Sequence, residues 1–98
     1  MDEAAYPLEQ IRQLFEQGDW RVTRSALETA LDLKLDDADI YDCVTNYLDE
    51  THFYKTMPAE KKLGLMQDVY RITYQGRRIY LKLQVANDCA VVISVKEE

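Results

Sequence analysis

The chain has 98 residues, 47% of them hydrophobic and 31% charged, with a formal net charge of −6 at pH 7. This composition excludes a disordered chain, and the length supports one domain with a modest core. No apolar run approaches the roughly 18 residues of a membrane span. The acidic start MDEAAYPLEQ lacks a secretory pattern, and two cysteines without CxxC spacing beside one histidine, His52, make no zinc site. The expectation is a reduced, cytoplasmic protein with no cofactor and no metal.

In chain order, Leu8, Ile11, Leu14 and Phe15 fall at helical spacing, with Pro7 suited to a first turn and Gly18 to a stop. After Trp20, Ser25-Ala26-Leu27-Glu28 reads as a capping box, and Ala26, Leu27, Ala30 and Leu31 supply a buried stripe. Asp36 is placed to cap a third helix with Asp39 in its first turn, and Ile40, Tyr41, Val44, Tyr47 and Leu48 form its apolar face.

His52 to Met57 (HFYKTM) reads as a short strand, and Pro58 to Gly64 as a polar connection carrying Lys61 and Lys62. From there the period switches to two. MQDVYRITY is rich in strand formers, and Gln75-Gly76 is a two-residue hairpin loop. Ile79, Leu81, Leu83 and Val85 alternate with polar residues, as do Cys89, Val91, Ile93 and Val95 with Ala90, Val92, Ser94 and Lys96. The fold class is α+β in a single unit over 1–98: residues 1–50 mainly helical, 51–98 mainly an antiparallel sheet meander with one face on the helices and one open.

Charge follows the same division. Residues 1–52 carry four basic and thirteen acidic residues, a net of −9, while residues 53–98 carry eight and five, a net of +3. Fields act locally because salt screens beyond about 8–10 Å. Either two solvated surfaces or an anion site on the second half accounts for this, and charge alone does not choose.

Register says more. A tight loop at Gln75-Gly76 sets Arg71 opposite Tyr80, Val69 opposite Lys82 and Gln67 opposite Gln84. A second loop of about three residues, Ala86-Asn87-Asp88, keeps apolar partners together by setting Leu81 against Ile93 and Ile79 against Val95; a two-residue loop would set Ile79 against Lys96. The open face then gathers Gln67, Arg71, Arg78, Tyr80, Lys82, Ser94 and Lys96. Like charges on opposed strand positions repel, so such a face either splays its side chains into water or holds an anion.

The runs TRSAL (Thr23–Leu27), FYKTM (Phe53–Met57), QDVYR (Gln67–Arg71), IYLKL (Ile79–Leu83) and the terminal VISVKE stand in the order and near-equal spacing of the MqsR family, which the chain resembles over nearly its whole length. These are motility quorum-sensing regulator toxins of bacterial type II toxin–antitoxin pairs, similar in fold to RelE-type toxins. The resemblance implies a metal-independent ribonuclease, an mRNA interferase that cuts mRNA and arrests growth. The implied partner is a separate zinc-binding antitoxin with a helix-turn-helix DNA-binding domain, through which alone operator DNA is contacted. The family's catalytic residues match Lys55, Gln67, Tyr80 and Lys96, and Arg71, Arg78 and Lys82 are the candidate RNA-binding cations. The alternative is a non-catalytic module of the same fold that holds RNA or an acidic protein. His52 is a competing general base, although a lone histidine is more often structural. Tyr54 and Tyr70 are weaker candidates for stacking on bases, because aromatics at such spacing are more often core.

Overall fold

The computed structural model describes residues 3–60 and 62–98; Lys61, a predicted loop cation, lies outside the described residues. Three helices, α1 (Leu8–Gln17), α2 (Arg24–Asp32) and α3 (Asp37–Asp42), cover one face of a five-stranded sheet. Its strands are β1 (Trp20–Val22), β2 (Phe53–Pro58), β3 (Met66–Tyr74), β4 (Arg77–Ala86) and β5 (Cys89–Glu97), in the order β1-β5-β4-β3-β2. Strands β2 to β5 form the expected antiparallel meander. Strand β1 adds a parallel edge to β5 that no periodicity announces, because three residues are too few to show one.

Helix α1 buries Leu8, Ile11 and Phe15, and Gly18 ends it in the left-handed region at φ 84°. The cap of α2 is Thr23 rather than Ser25: the Thr23 hydroxyl accepts from the Ala26 backbone N–H at 3.2 Å. Starting the helix at Arg24 turns Ala26 and Ala30 inward and leaves Leu31 53% exposed, so the predicted stripe is narrower than expected. Asp36 caps α3 as expected, and the structure adds a return bond from the Asp36 backbone N–H to the Asp39 carboxylate, which makes the cap a reciprocal box. A π-helical turn, Cys43–Tyr47, extends α3, and Arg12 donates to the Leu48 carbonyl just beyond it.

The core lies between the helices and Tyr70, Ile72, Ile79, Leu81, Leu83, Val92 and Val95 of the sheet. Phe15 stacks on Trp20 with ring centroids 4.6 Å apart. Burial in this layer pushes the Cys43 thiol up to about 12, with Asp42 adding to the effect, which leaves it inert. Asp68 is fully buried at the edge of this core, where its carboxylate accepts from the backbone N–H groups of Ala5 and Tyr6 at 2.9 and 3.0 Å.

The second hairpin corrects the predicted loop. Ala86 pairs with Cys89, so the turn is the two residues Asn87 and Asp88, both left-handed at φ 54° and 57°. A β-bulge then absorbs the offset: Leu83 pairs with Val92 but Lys82 with Ser94, leaving Ile93 as the extra residue. The predicted pairs Leu81–Ile93 and Ile79–Val95 become Leu81–Val95 and Ile79–Glu97. Because the second position of such a turn favours glycine, Asp88→Gly should raise stability by up to about 1 kcal/mol. Thermal unfolding would read this as an upward shift in Tm.

Candidate active site on the open sheet face

Alternation carries polar side chains of β3 and β4 away from the helices, and two bulges bring in the flanking strands. On β2, Phe53 pairs with Tyr70 and Lys55 with Val69, so Tyr54 is an extra residue in the strand. In an unbulged strand of the same sequence, Phe53 and Lys55 would share a face. With the bulge, Phe53 meets the Tyr70 ring edge-on at 5.7 Å in the core, and Lys55 joins Val69 on the other side. The Ile93 bulge does the same for β5, so that Val92 stays in the core while Ser94 and Lys96 face outward.

Three rows cross this face. In the first, the Arg71–Tyr80–Lys96 run spans β3, β4 and β5 by direct pairing. In the second, Lys55, Val69, Lys82 and Ser94 pair in succession. In the third, Met57 pairs with Gln67, Gln84 pairs with Val91, and the Gln67 carboxamide donates to that of Gln84 at 3.0 Å. The structure thus places Lys55, Gln67, Tyr80 and Lys96 on one surface, together with Arg71, Lys82 and Arg78. Directly opposed side chains lie about 4.5–5.5 Å apart at Cβ, which puts the Tyr80 phenol beside the Lys96 stem. The three-residue loop expected from alternation would have set Tyr80 against Ser94 and Arg78 against Lys96; with the bulge, Lys96 is the direct neighbour of Tyr80, and Ser94 of Lys82.

The repulsion expected among these cations is answered from within the chain. Glu98 accepts two hydrogen bonds from Arg71, at 2.9 and 2.6 Å, and a third from Arg78 at 3.3 Å. The Arg71 bonds hold the Glu98 carboxyl below its ordinary range and raise the Arg71 guanidinium in return. Among the described residues, Lys55, Lys82 and Lys96 form no salt bridge.

Tyr54 is 48% exposed, with the Arg71 guanidinium 4.3 Å and the Lys55 ammonium 5.4 Å from its ring centre. Alternation from the core-facing Phe53 already turns Tyr54 outward, and the bulge brings Lys55 to the same side, so the ring is a stronger stacking candidate than its sequence spacing suggested. Tyr70 is 1% exposed in the core, where burial pushes its phenol up to about 12; it is no stacking platform. His52 Nδ1 accepts from the Asp49 backbone N–H at 3.0 Å and closes the turn ahead of β2, the structural role of a capping side chain.

Beside the rows runs a groove of about 520 Å³, floored by Gln67, Gln84, Val91 and Ile93. Lys82, Ser94 and Lys96 line it, as do Lys62 and Glu60 of the connection after β2 and Arg21, Thr23 and Ser25 at the β1–α2 junction. The groove therefore overlaps the candidate catalytic residues at Gln67 and Lys96. Among the described residues, no group of three His, Cys, Asp or Glu side chains is placed to hold a metal, and no helix is long and apolar enough to cross a membrane.

Two comparisons fit this arrangement. The chain is 37% identical over 94 residues to the mRNA interferase toxin MqsR of Escherichia coli (strain K12), an alignment covering 93% of this chain and 91% of that protein. The family described as motility quorum-sensing regulator, toxin of MqsA, matches residues 3–97, a span that includes all five strands and the whole open face. By both measures, the chain belongs to the MqsR toxin family.

Proposed function

We propose that this chain is an mRNA interferase, a toxin that cuts mRNA in the cytoplasm through attack of the ribose 2′-hydroxyl on the adjacent phosphate, without metal assistance. The observation that carries the reading is the Arg71–Tyr80–Lys96 row with Lys55 and Gln67 on the same face.

RNA supplies its own nucleophile. A base removes the 2′-hydroxyl proton, the 2′-oxygen bonds to phosphorus, and the 5′-oxygen leaves with a proton from an acid, giving a 2′,3′-cyclic phosphate and a 5′-hydroxyl. Charge grows on the non-bridging oxygens in between, and preorganised cations at that point stabilise it. In this scheme Lys96 and Arg71 flank the phosphate. Tyr80, in direct contact range of Lys96, and Lys55 are the proton-transfer pair. Gln67 orients a phosphate oxygen from the adjoining row, and Arg78 and Lys82 hold flanking phosphates.

The test is cleavage of a defined RNA in the presence of chelator, with the products analysed for cyclic phosphate. Growth arrest on induced expression, relieved by the neighbouring gene, would identify the antitoxin. The family description pairs these toxins with MqsA, and we infer that the antitoxin here is a zinc-binding, helix-turn-helix protein.

Glu98 occupies two of the cations that a phosphate would use. Charge-assisted bidentate pairing of this kind mimics arginine–phosphate recognition. Glu98→Gln should therefore strengthen RNA binding several-fold at low salt and steepen its salt dependence, because each freed cation adds to the counterions released. Titration of binding against salt would check this. The pH sign follows from the lowered Glu98 carboxyl. The clamp is fully formed above the ordinary carboxylate value of 4.5 and opens only as pH falls through the lower folded value.

A further inference from the structure

We propose that the RNA strand leaves the candidate active face along the groove, where Arg21 on the edge strand β1 holds a backbone phosphate outside the scissile step. This rests on the reading of the open face as an RNA-binding surface, and it gives the acidic half of the chain a binding residue.

Arg21 is the unexpected member of the groove, because it comes from the part of the sequence whose net charge is −9. Strand β1 decides where it points. Trp20 and Val22 pack against the core, so alternation turns Arg21 to the open face. There it pairs with Val91, which pairs in turn with Gln84, so the third row continues across the sheet to the β1 edge. Arg21 is exposed, and among the described residues it forms no salt bridge. Acidic residues outnumber basic ones by 18 to 12 in the whole chain. The groove reverses this balance: its charged lining is four cations, Arg21, Lys62, Lys82 and Lys96, and one carboxylate, Glu60. A net-positive channel in a net-negative chain attracts a polyanion locally, because salt screens the more distant acids beyond about 8–10 Å.

Distance makes this a separate phosphate. The third row lies about 13 Å along the sheet from Tyr80, at about 3.3 Å per residue from Tyr80 to Gln84, and Arg21 stands two strands, about 10 Å, beyond Gln84. Arg21 therefore does not reach the phosphate beside Tyr80 and Lys96, and takes one further along the same RNA strand. Lys82, in the row between, keeps the path cationic from one to the other. An acidic protein segment would feel the same attraction. The RNA strand is favoured because the groove shares Lys96 and Gln67 with the candidate active site, so a strand held there for cutting already enters it. Contacts of this kind fix register and carry no base information.

The experiment compares wild type, Arg21→Gln, Arg21→Glu and, as a control, Lys34→Gln, which removes the same charge from the exposed turn between α2 and α3. RNAs with fluorine in place of every 2′-hydroxyl have no nucleophile and stay intact. A ladder of them, about 2 to 16 nucleotides long to cover single-strand site sizes, would be titrated by fluorescence anisotropy. Arg21→Gln should match wild type on the shortest RNAs and bind the long ones about 3- to 10-fold more weakly at low salt, the worth of one exposed charge-assisted contact. Arg21→Glu should deepen that loss. For long RNAs, the slope of log affinity against log salt should flatten by about 0.7 in Arg21→Gln, one phosphate fewer on a single strand. The loss should be the same for different base sequences, and Lys34→Gln should show none of it. Equal effects of Arg21→Gln and Lys34→Gln, or a loss in Arg21→Gln that does not grow with length, overturn the proposal. Polyglutamate bound as tightly as long RNA, with the same dependence on Arg21, assigns the groove to an acidic protein and overturns it too. Unmodified RNA tells this apart from the function itself. Cutting by wild type with no length-dependent loss in Arg21→Gln removes the track and keeps the nuclease. The length-dependent loss without cutting removes the nuclease and keeps the track.

Discussion

Replacing Tyr80 by phenylalanine should slow RNA cleavage by about 10²–10⁴-fold, the usual worth of a positioned acid or base. Fold and RNA affinity should be nearly unchanged, because the substitution removes one oxygen from a half-buried residue on the open face. Lys96→Ala should cost about 10²–10³-fold. Since Tyr80 and Lys96 are paired neighbours, the double variant should lose less than the product of the two single losses. Single-turnover rates at saturating enzyme would separate these effects from binding. A Tyr80→Phe enzyme with the wild-type rate would take proton transfer away from the phenol and leave Lys55 or another group to supply it.

Asp68→Ala should be the most damaging of the polar substitutions for stability. The carboxylate is fully buried and satisfies the backbone N–H groups of Ala5 and Tyr6. Tyr6 also ties the same segment to β3 by donating from its hydroxyl to the Met66 carbonyl at 2.7 Å. Losing an acceptor costs about 1–3 kcal/mol per buried donor, and Ala5 can recover part of this from water, so we expect about 2–4 kcal/mol in all. For a chain of this size each kcal/mol shifts Tm by roughly 4–8 °C. Cleavage per folded molecule should change little, because Asp68 faces the core while its sequence neighbours Gln67 and Val69 face the site. A drop in activity without a drop in Tm would contradict this division of labour between adjacent residues.

Much of this was legible in the residue order. Alternation in β3 and β4, together with a loop at Gln75-Gly76, was enough to place Gln67, Arg71, Arg78, Tyr80 and Lys82 on one surface. Lys55 came from family resemblance, because plain alternation puts it on the same side as Phe53. The missed features share a physical cause: each is a one- or two-residue departure from a repeat. Strand β1 is too short to have a period, and Thr23 and Ser25 are both good caps two residues apart. Asn87 and Asp88 tolerate left-handed backbone better than most residues, which allowed a shorter turn than alternation suggested. The Arg71–Glu98 clamp joins residues 27 positions apart, beyond the reach of any local pattern.

The two added residues, Tyr54 and Ile93, give the site a discrete rather than graded dependence on strand register. Deleting either one would leave its neighbours paired as they are and merely straighten the strand, whereas resuming regular pairing with the extra residue in place would invert every side chain on one flank and send Lys55 or Lys96 toward the helices. Evolution of this surface can therefore tune individual side chains freely, but it cannot slide those strands by a single position without dismantling the assembled face.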